Sequence, residues 1–262
     1  MLKRLLFTCI LLASANLYAQ DLVKGEVSSR DLLTNDIKKA EKFYTGLFSW
    51  TSVHHGKYIE LFKDQKSIAN IVHIDSKKHS HWMPQFSHNN LQDAKKMILK
   101  NGGTILKEVT NSDDGYKYLL IKDSQDALCV VSDDKENIFS EFPKNHEWLW
   151  DELWSFDTSI SKVFYQKLFD YEVTKTATGY LVFMKNDKWV SGLLSNPFEG
   201  SKTQWVSTIK VEDPQVTSQK AITLGGKIIV SVDEHKGHRE AALIADPTGA
   251  IFIVEKYTKE QK

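Results

Sequence analysis

The chain repeats itself. Phe43-Tyr44-Thr45-Gly46-Leu47-Phe48-Ser49-Trp50 returns 121 residues later as Phe164-Tyr165-Gln166-Lys167-Leu168-Phe169-Asp170-Tyr171. The same offset relates Leu32 to Leu153 and Asp36 to Asp157. An offset of 123 relates Trp82 to Trp205, Gly102-Gly103 to Gly225-Gly226, and the stretch Asp123 to Ala127 to the stretch Asp246 to Ala250. Landmarks in one order at nearly one spacing mean an internal duplication. The unit is about 120 residues, a normal domain size. The copies are expected at 26–133 and 147–257, joined through a polar stretch that contains Pro143.

Each copy has the same local grammar. An extended segment (26–34, then 148–156) leads to Asp36 or Asp157. Aspartate is a favoured helix N-cap, because its carboxylate accepts the free amide hydrogens of the first turn. Ile37, Ala40, Phe43, Tyr44, Leu47 and Phe48 then recur at helical spacing, as do Ile160, Val163, Phe164, Leu168 and Phe169. Three short strands are expected next, near 51–54, 58–63 and 68–74 in the first copy. The pattern then restarts. Residues 82–88 read as extended and 91–100 as helical, and Gly102-Gly103 ends the helix with a positive-φ cap. Strands follow near 104–108, 116–121 and 127–132. In the second copy a helix over 214–224 has Pro214 in its first turn, where the missing N–H costs nothing. Each copy thus reads β-α-β-β-β twice. One helix per group of strands predicts an α+β fold of strongly curved mixed sheets.

The first residues fall outside this grammar. Lys3 and Arg4 precede an apolar run, 5–15, and small residues lead to a cleavage point after Ala19. That is the three-part pattern of a secretory signal, expected over 1–19, and it places the mature protein in the periplasm or outside the cell. The apolar run is shorter than the roughly 20 residues that span a bilayer, so no stable membrane insertion is expected. Lys+Arg and Asp+Glu number 34 each, so no strong field favours nucleic acid. Loss of the leader also removes Cys9 and leaves Cys129 alone, in an apolar strand pattern that reads as an inert core thiol.

Asp-x3-Ala-x2-Phe-Tyr-x2-Leu-Phe over 36–48, the helix ending in Gly-Gly, and Asp246-Pro247-x-Gly249-Ala250-x-Phe252 resemble the vicinal oxygen chelate superfamily, which includes glyoxalase I, extradiol dioxygenases and bleomycin-resistance proteins. The tandem form, with Trp148 and Glu152-Leu153 before the helix of the second copy, is similar to its two-domain glyoxalase-like branch. The resemblance covers about 26–256. It implies two tandem glyoxalase-like domains, each of two βαβββ modules, whose sheets curl around a divalent metal and a small substrate. It also implies metal ligands of His, Gln or Glu on the first strand of a module and Glu on its last. The matching first-strand positions are Ser29, Met83, Trp150 and Val206. The matching last-strand positions are Asn70 or Ile71, Val130, Gly192 or Leu193, and Ile253. None is a strong ligand, so no metal ligand is assigned and no cofactor is expected.

Two carboxylates remain. Asp31 and Glu152 are equivalent under the 121 offset, and each shares a strand face with a lost ligand position. A carboxylate in an apolar cleft is a candidate general base or substrate anchor, because desolvation raises its pKa. The alternative is a structural ion pair or a solvated strand end. Trp150 and Trp154 share the face of Glu152, a combination suited to a flat or cationic ligand. His73 and His88 stand near the expected cleft as further ligand-binding candidates. His79-Ser80-His81 reads as a solvated loop, with zinc as its alternative, and His235 and His238 read as a charged turn. Trp82 and Trp205 read as equivalent core residues. No phosphate loop, Ser-His-Asp order, HExxH or CxxC occurs. The expectation is an exported binder of a small organic molecule, monomeric or homodimeric, without the usual metal centre and with catalysis left open. The alternatives are a metal-dependent lyase, isomerase or oxygenase using atypical ligands such as His73, and a protein-interaction module.

Overall fold

The computed structural model describes residues 23–56, 58–75, 80–110, 117–133, 143–234 and 240–258. The leader and His79, His235 and His238 lie outside the described residues.

The first module is β1 (Val27–Thr34), α1 (Ile37–Phe48), β2 (Thr51–His54), β3 (Tyr58–Lys63) and β4 (Lys66–His73). The second is β5 (His81–Ser87), α2 (Leu91–Lys100), β6 (Thr104–Val109), β7 (Tyr118–Lys122) and β8 (Leu128–Ser132). The third is β9 (Trp148–Ser155), α3 (Thr158–Phe169), β10 (Glu172–Lys175), β11 (Leu181–Lys185) and β12 (Lys188–Ser195). The fourth is β13 (Gln204–Lys210), α4 (Pro214–Thr223), β14 (Lys227–Val230), β15 (Ala241–Ala245) and β16 (Ile251–Glu255). This is the expected α+β architecture of tandem glyoxalase-like units.

The first copy forms one eight-stranded sheet in the order β2-β3-β4-β1-β5-β8-β7-β6, and the second forms another in the order β10-β11-β12-β9-β13-β16-β15-β14. Within each, the two modules meet through an antiparallel central pair, β1 with β5 and β9 with β13. The helices start where the caps require. Asp36 accepts from the Lys39 amide, Asn90 from Gln92 and Asp93, Asp157 from Ser159 and Ile160, and Asp213 from Val216. Gly102 and Gly225 have φ of +85° and +90°, the left-handed geometry that glycine adopts without penalty. Among the described residues, no helix is long and apolar enough to cross a membrane.

The apolar core does not divide between the copies. One cluster joins Leu32, Phe43, Tyr44, Phe48 and Ile71 of the first module to Ile209, Ile244, Phe252 and Val254 of the fourth. The other joins Phe86, Ile98, Ile121 and Val131 of the second module to Phe164, Tyr165, Phe183 and Leu193 of the third. The helix-bearing faces of the two sheets therefore meet, with α1 against α4 and α2 against α3. A single helix covers only part of its sheet face, and a helix of the other copy covers the rest. Trp82 and Trp205 fill equivalent places. Trp82 Nε1 donates to the Tyr44 hydroxyl (2.7 Å), which donates to Asp246 (3.0 Å). Trp205 Nε1 donates to Tyr165 (2.9 Å), which donates to Asp123 (3.1 Å). Cys129 is fully buried, and desolvation pushes its thiol pKa up.

Candidate functional site

The two helix-free faces look away from the shared cores. Strand alternation sends Leu32 and Leu153 into the cores and puts Ser29, Asp31 and Leu33, or Trp150, Glu152 and Trp154, on the opposite faces. The central four strands bring a carboxylate to the middle of each face. Asp31 lies beside Asn70 in parallel register and opposite Met83. Glu152 lies beside Gly192 and opposite Val206. Ser29 and Trp150, the positions that the resemblance matches to a first-strand ligand, sit one face position away, beside Gln85 and Thr208. The duplication thus relates Asp31 to Glu152, Asn70 to Gly192 and Gln85 to Thr208.

The two faces differ in chemistry. In the first copy the Asn70 amide donates to Asp31 Oδ1 (2.9 Å), and Gln85 reaches Ser132 (3.3 Å). Asp31 is half-buried, and desolvation pushes its pKa up to about 6 against the opposing pull of the Asn70 hydrogen bond. In the second copy Gly192 leaves a gap that the Tyr180 ring fills, so an added Cβ would collide with the Tyr180 hydroxyl. Tyr180 donates to Glu152 Oε1 (2.8 Å), and Trp154 Nε1 donates to Oε2 (3.1 Å). Trp150 Nε1 completes the chain by donating to the Tyr180 hydroxyl (2.9 Å). Trp154 continues into an apolar cluster with Val206, Leu243, Phe198 and Ile253.

The donors do not suit a divalent ion. Both oxygens of Glu152 are held by N–H and O–H donors, and an indole N–H cannot ligate a metal. Asp31 is joined by the Asn70 amide rather than by imidazoles or a second carboxylate. Among the described residues, no three His, Cys, Asp or Glu side chains converge as a metal cluster would require.

The structure brings Asp31 to one face and Glu152, Trp150 and Trp154 to the other. It places two other candidates away from these faces. His73 shares the helix-side face of β4 with Ile71, stays exposed and contacts Asp75 (3.1 Å). His88 follows the last residue of β5 and is buried at the junction with α3, its ring centroid 6.3 Å from that of Phe169. Desolvation and then the nearby Lys24 push its pKa down to about 4. Position along a strand suggested both histidines; side-chain parity and the docking of the second copy place them elsewhere. Sequence reasoning missed Tyr180 and Gln85. The only local sign of Tyr180 was the glycine at a closing-strand position. A cavity of about 370 Å³ lined by Asn90, Gln92, Glu108 and Lys117 lies apart from both faces.

No protein-family profile matches the chain. A protein of Mycobacterium bovis named "Putative glyoxylase CFP32" is 24% identical over 246 residues, covering 88% of this chain and 94% of its own length. The same-named protein of Mycobacterium tuberculosis matches equally. Among solved structures, the Mn(II)-bound glyoxalase from Novosphingobium aromaticivorans superposes with a TM-score of 0.63 at 9% identity, over 90% of this chain and 83% of that one. The 2,3-dioxygenase LapB from Pseudomonas sp. KL28 gives 0.60 at 9% identity, over 92% and 97%. Duplicated βαβββ modules, paired eight-stranded sheets and these likenesses converge: the chain has the fold of the vicinal oxygen chelate superfamily in its tandem glyoxalase-like form.

Proposed function

We propose that the protein is exported and binds a small organic molecule on a helix-free sheet face, without the usual divalent-metal centre. One observation carries this reading. Each face keeps a carboxylate at its centre, Asp31 or Glu152, while the groups around it are amides, hydroxyls and indoles. Such a setting orients an organic ligand by hydrogen bonds and stacking. The leader pattern at the N-terminus supports export. The name of the mycobacterial relative favours a second reading, glyoxylase-type catalysis.

Two measurements on the purified mature protein test this. Atomic emission, with and without added manganese, zinc or iron, is expected to find no stoichiometric metal after dialysis; a retained equivalent would replace the first reading by the second. A thermal-shift series with uncharged, cationic and anionic small aromatic compounds is expected to raise Tm for at least one class. No response from any class would overturn ligand binding.

A further inference from the structure

We propose that the helix-free face of the second copy binds an apolar organic cation, with an ammonium group set against Glu152 and aromatic rings around it. The inference rests on the ligand-binding reading and names the ligand class for one of the two faces.

The duplication supplies the comparison. Where the second copy carries Trp150 and Trp154, the first carries Ser29 and Leu33 on the same face of the equivalent strand. The fold therefore does not require indoles at these two places. Tyr58 and Tyr180 are likewise equivalent in register, yet their rings do different things. Tyr58 stacks on His55 (centroids 4.8 Å apart, 20° between planes), whereas Tyr180 lies across Gly192 and reaches Glu152. The loss of a side chain at Gly192 is what allows a third aromatic group to close on the carboxylate.

Glu152 has no cationic partner among the described residues, and its contacts are the uncharged donors Tyr180 and Trp154. Its neighbour shows that the fold can supply a cation. Asp151, on the opposite face of the same strand, is paired with Arg30. A half-buried carboxylate that lacks a counter-charge attracts a positive group by Coulomb attraction, and an aromatic ring whose face lies beside that group adds the attraction of its quadrupole. Trp189 extends the aromatic wall, with its ring centroid 6.4 Å from that of Trp150, and is 49% exposed. On the other side, Phe198 and Ile253, partly buried against the closed cluster of Trp154, Val206 and Leu243, offer an apolar surface for the body of the ligand. An anion would be repelled by Glu152, and a neutral ligand would leave its charge unmatched.

The test uses two probes of the same shape, the cation 4-hydroxyphenyltrimethylammonium and the uncharged 4-tert-butylphenol, titrated into the full mature protein by calorimetry. The cation is expected to bind about tenfold tighter. Glu152→Gln is expected to erase that ratio. Tyr180→Phe, which removes a hydrogen bond but no charge, is expected to weaken both probes while keeping the ratio. Equal affinity of the two probes for the unaltered protein, or a preference that survives Glu152→Gln, overturns the proposal and leaves the ligand-binding reading standing. Binding of neither probe, with no response in the thermal-shift series, overturns both.

Discussion

Arg30 and Asp151 are the same position in the two copies, and they pair with each other. The Arg30 Nε donates to Asp151 Oδ1 (3.1 Å), and its Nη2 donates to Oδ2. Both side chains are at least 95% buried, Ser207 donates a further hydrogen bond to Asp151 (2.6 Å), and the guanidinium lies 4.8 Å from the Trp148 ring centroid. The duplication has thus made one central position basic in one copy and acidic in the other, which ties the two sheets together. Asp151→Ala strands a buried charge and is expected to lower unfolding free energy by about 3–5 kcal/mol. Arg30→Met combined with Asp151→Leu removes both charges and is expected to recover most of that loss. Urea denaturation of the three proteins checks both statements.

The Trp82–Tyr44–Asp246 chain and its counterpart Trp205–Tyr165–Asp123 each cross between copies. Tyr44→Phe and Tyr165→Phe should each cost about 1–3 kcal/mol, since each leaves a buried carboxylate and an indole N–H short of a partner. The two losses should be similar, because the same three groups are involved. Equilibrium unfolding measures them, and a loss confined to one site would mean that the copies are not equivalently coupled.

Asp31 and His88 bend the pH dependence of stability in opposite directions. The folded pKa of Asp31 is raised to about 6, so the native state binds its proton more tightly. Its contribution is fully present below the unfolded value near 4 and is lost as pH rises to 6, by on the order of 3 kcal/mol. His88 is lowered to about 4, so the native state binds its proton less tightly. Its contribution is present above the unfolded value near 6.5 and is lost as pH falls towards 4, by on the order of 3 kcal/mol. Denaturation between pH 4 and 8 should therefore show Asp31→Asn gaining on the unaltered protein as pH rises through 4–6. His88→Gln should gain on it as pH falls through 6.5–4. Parallel profiles for all three proteins would contradict both shifts.

Gly192→Ala tests how Tyr180 is held. The new methyl group would meet the Tyr180 hydroxyl and press on Trp150 Nε1 at 3.1 Å. Tyr180 should swing away from Glu152, at about 1–3 kcal/mol of stability. Indole emission should change as Trp150 loses its acceptor. Unchanged stability and emission would show that Tyr180 is not seated against Gly192.

Much of the fold was legible in the chain. Asp36 and Asp157 cap their helices, Gly102 and Gly225 end the second helix of each copy, and residues 91–100 form the expected helix with the same bounds. These are local effects, set by capping and by backbone freedom within a few residues. The equivalence of Asp31 and Glu152 was also legible, because strand parity and the repeat offset need no knowledge of the partner strands. His73 and His88 were not, since a strand position alone does not say which sheet face a residue takes once its neighbours pair, nor which helix of the other copy covers it.

The sequence by itself determined the duplication and the βαβββ grammar, because each is carried by residue type and spacing along the chain. Only the tertiary structure decided that the two copies share their cores, that Arg30 meets Asp151, and that Tyr180 closes over Gly192 onto Glu152. Those contacts join residues from 28 positions apart, Glu152 and Tyr180, to 209 apart, Phe43 and Phe252. They depend on which faces two sheets must bury together, and that is settled by the apolar surface one helix leaves uncovered.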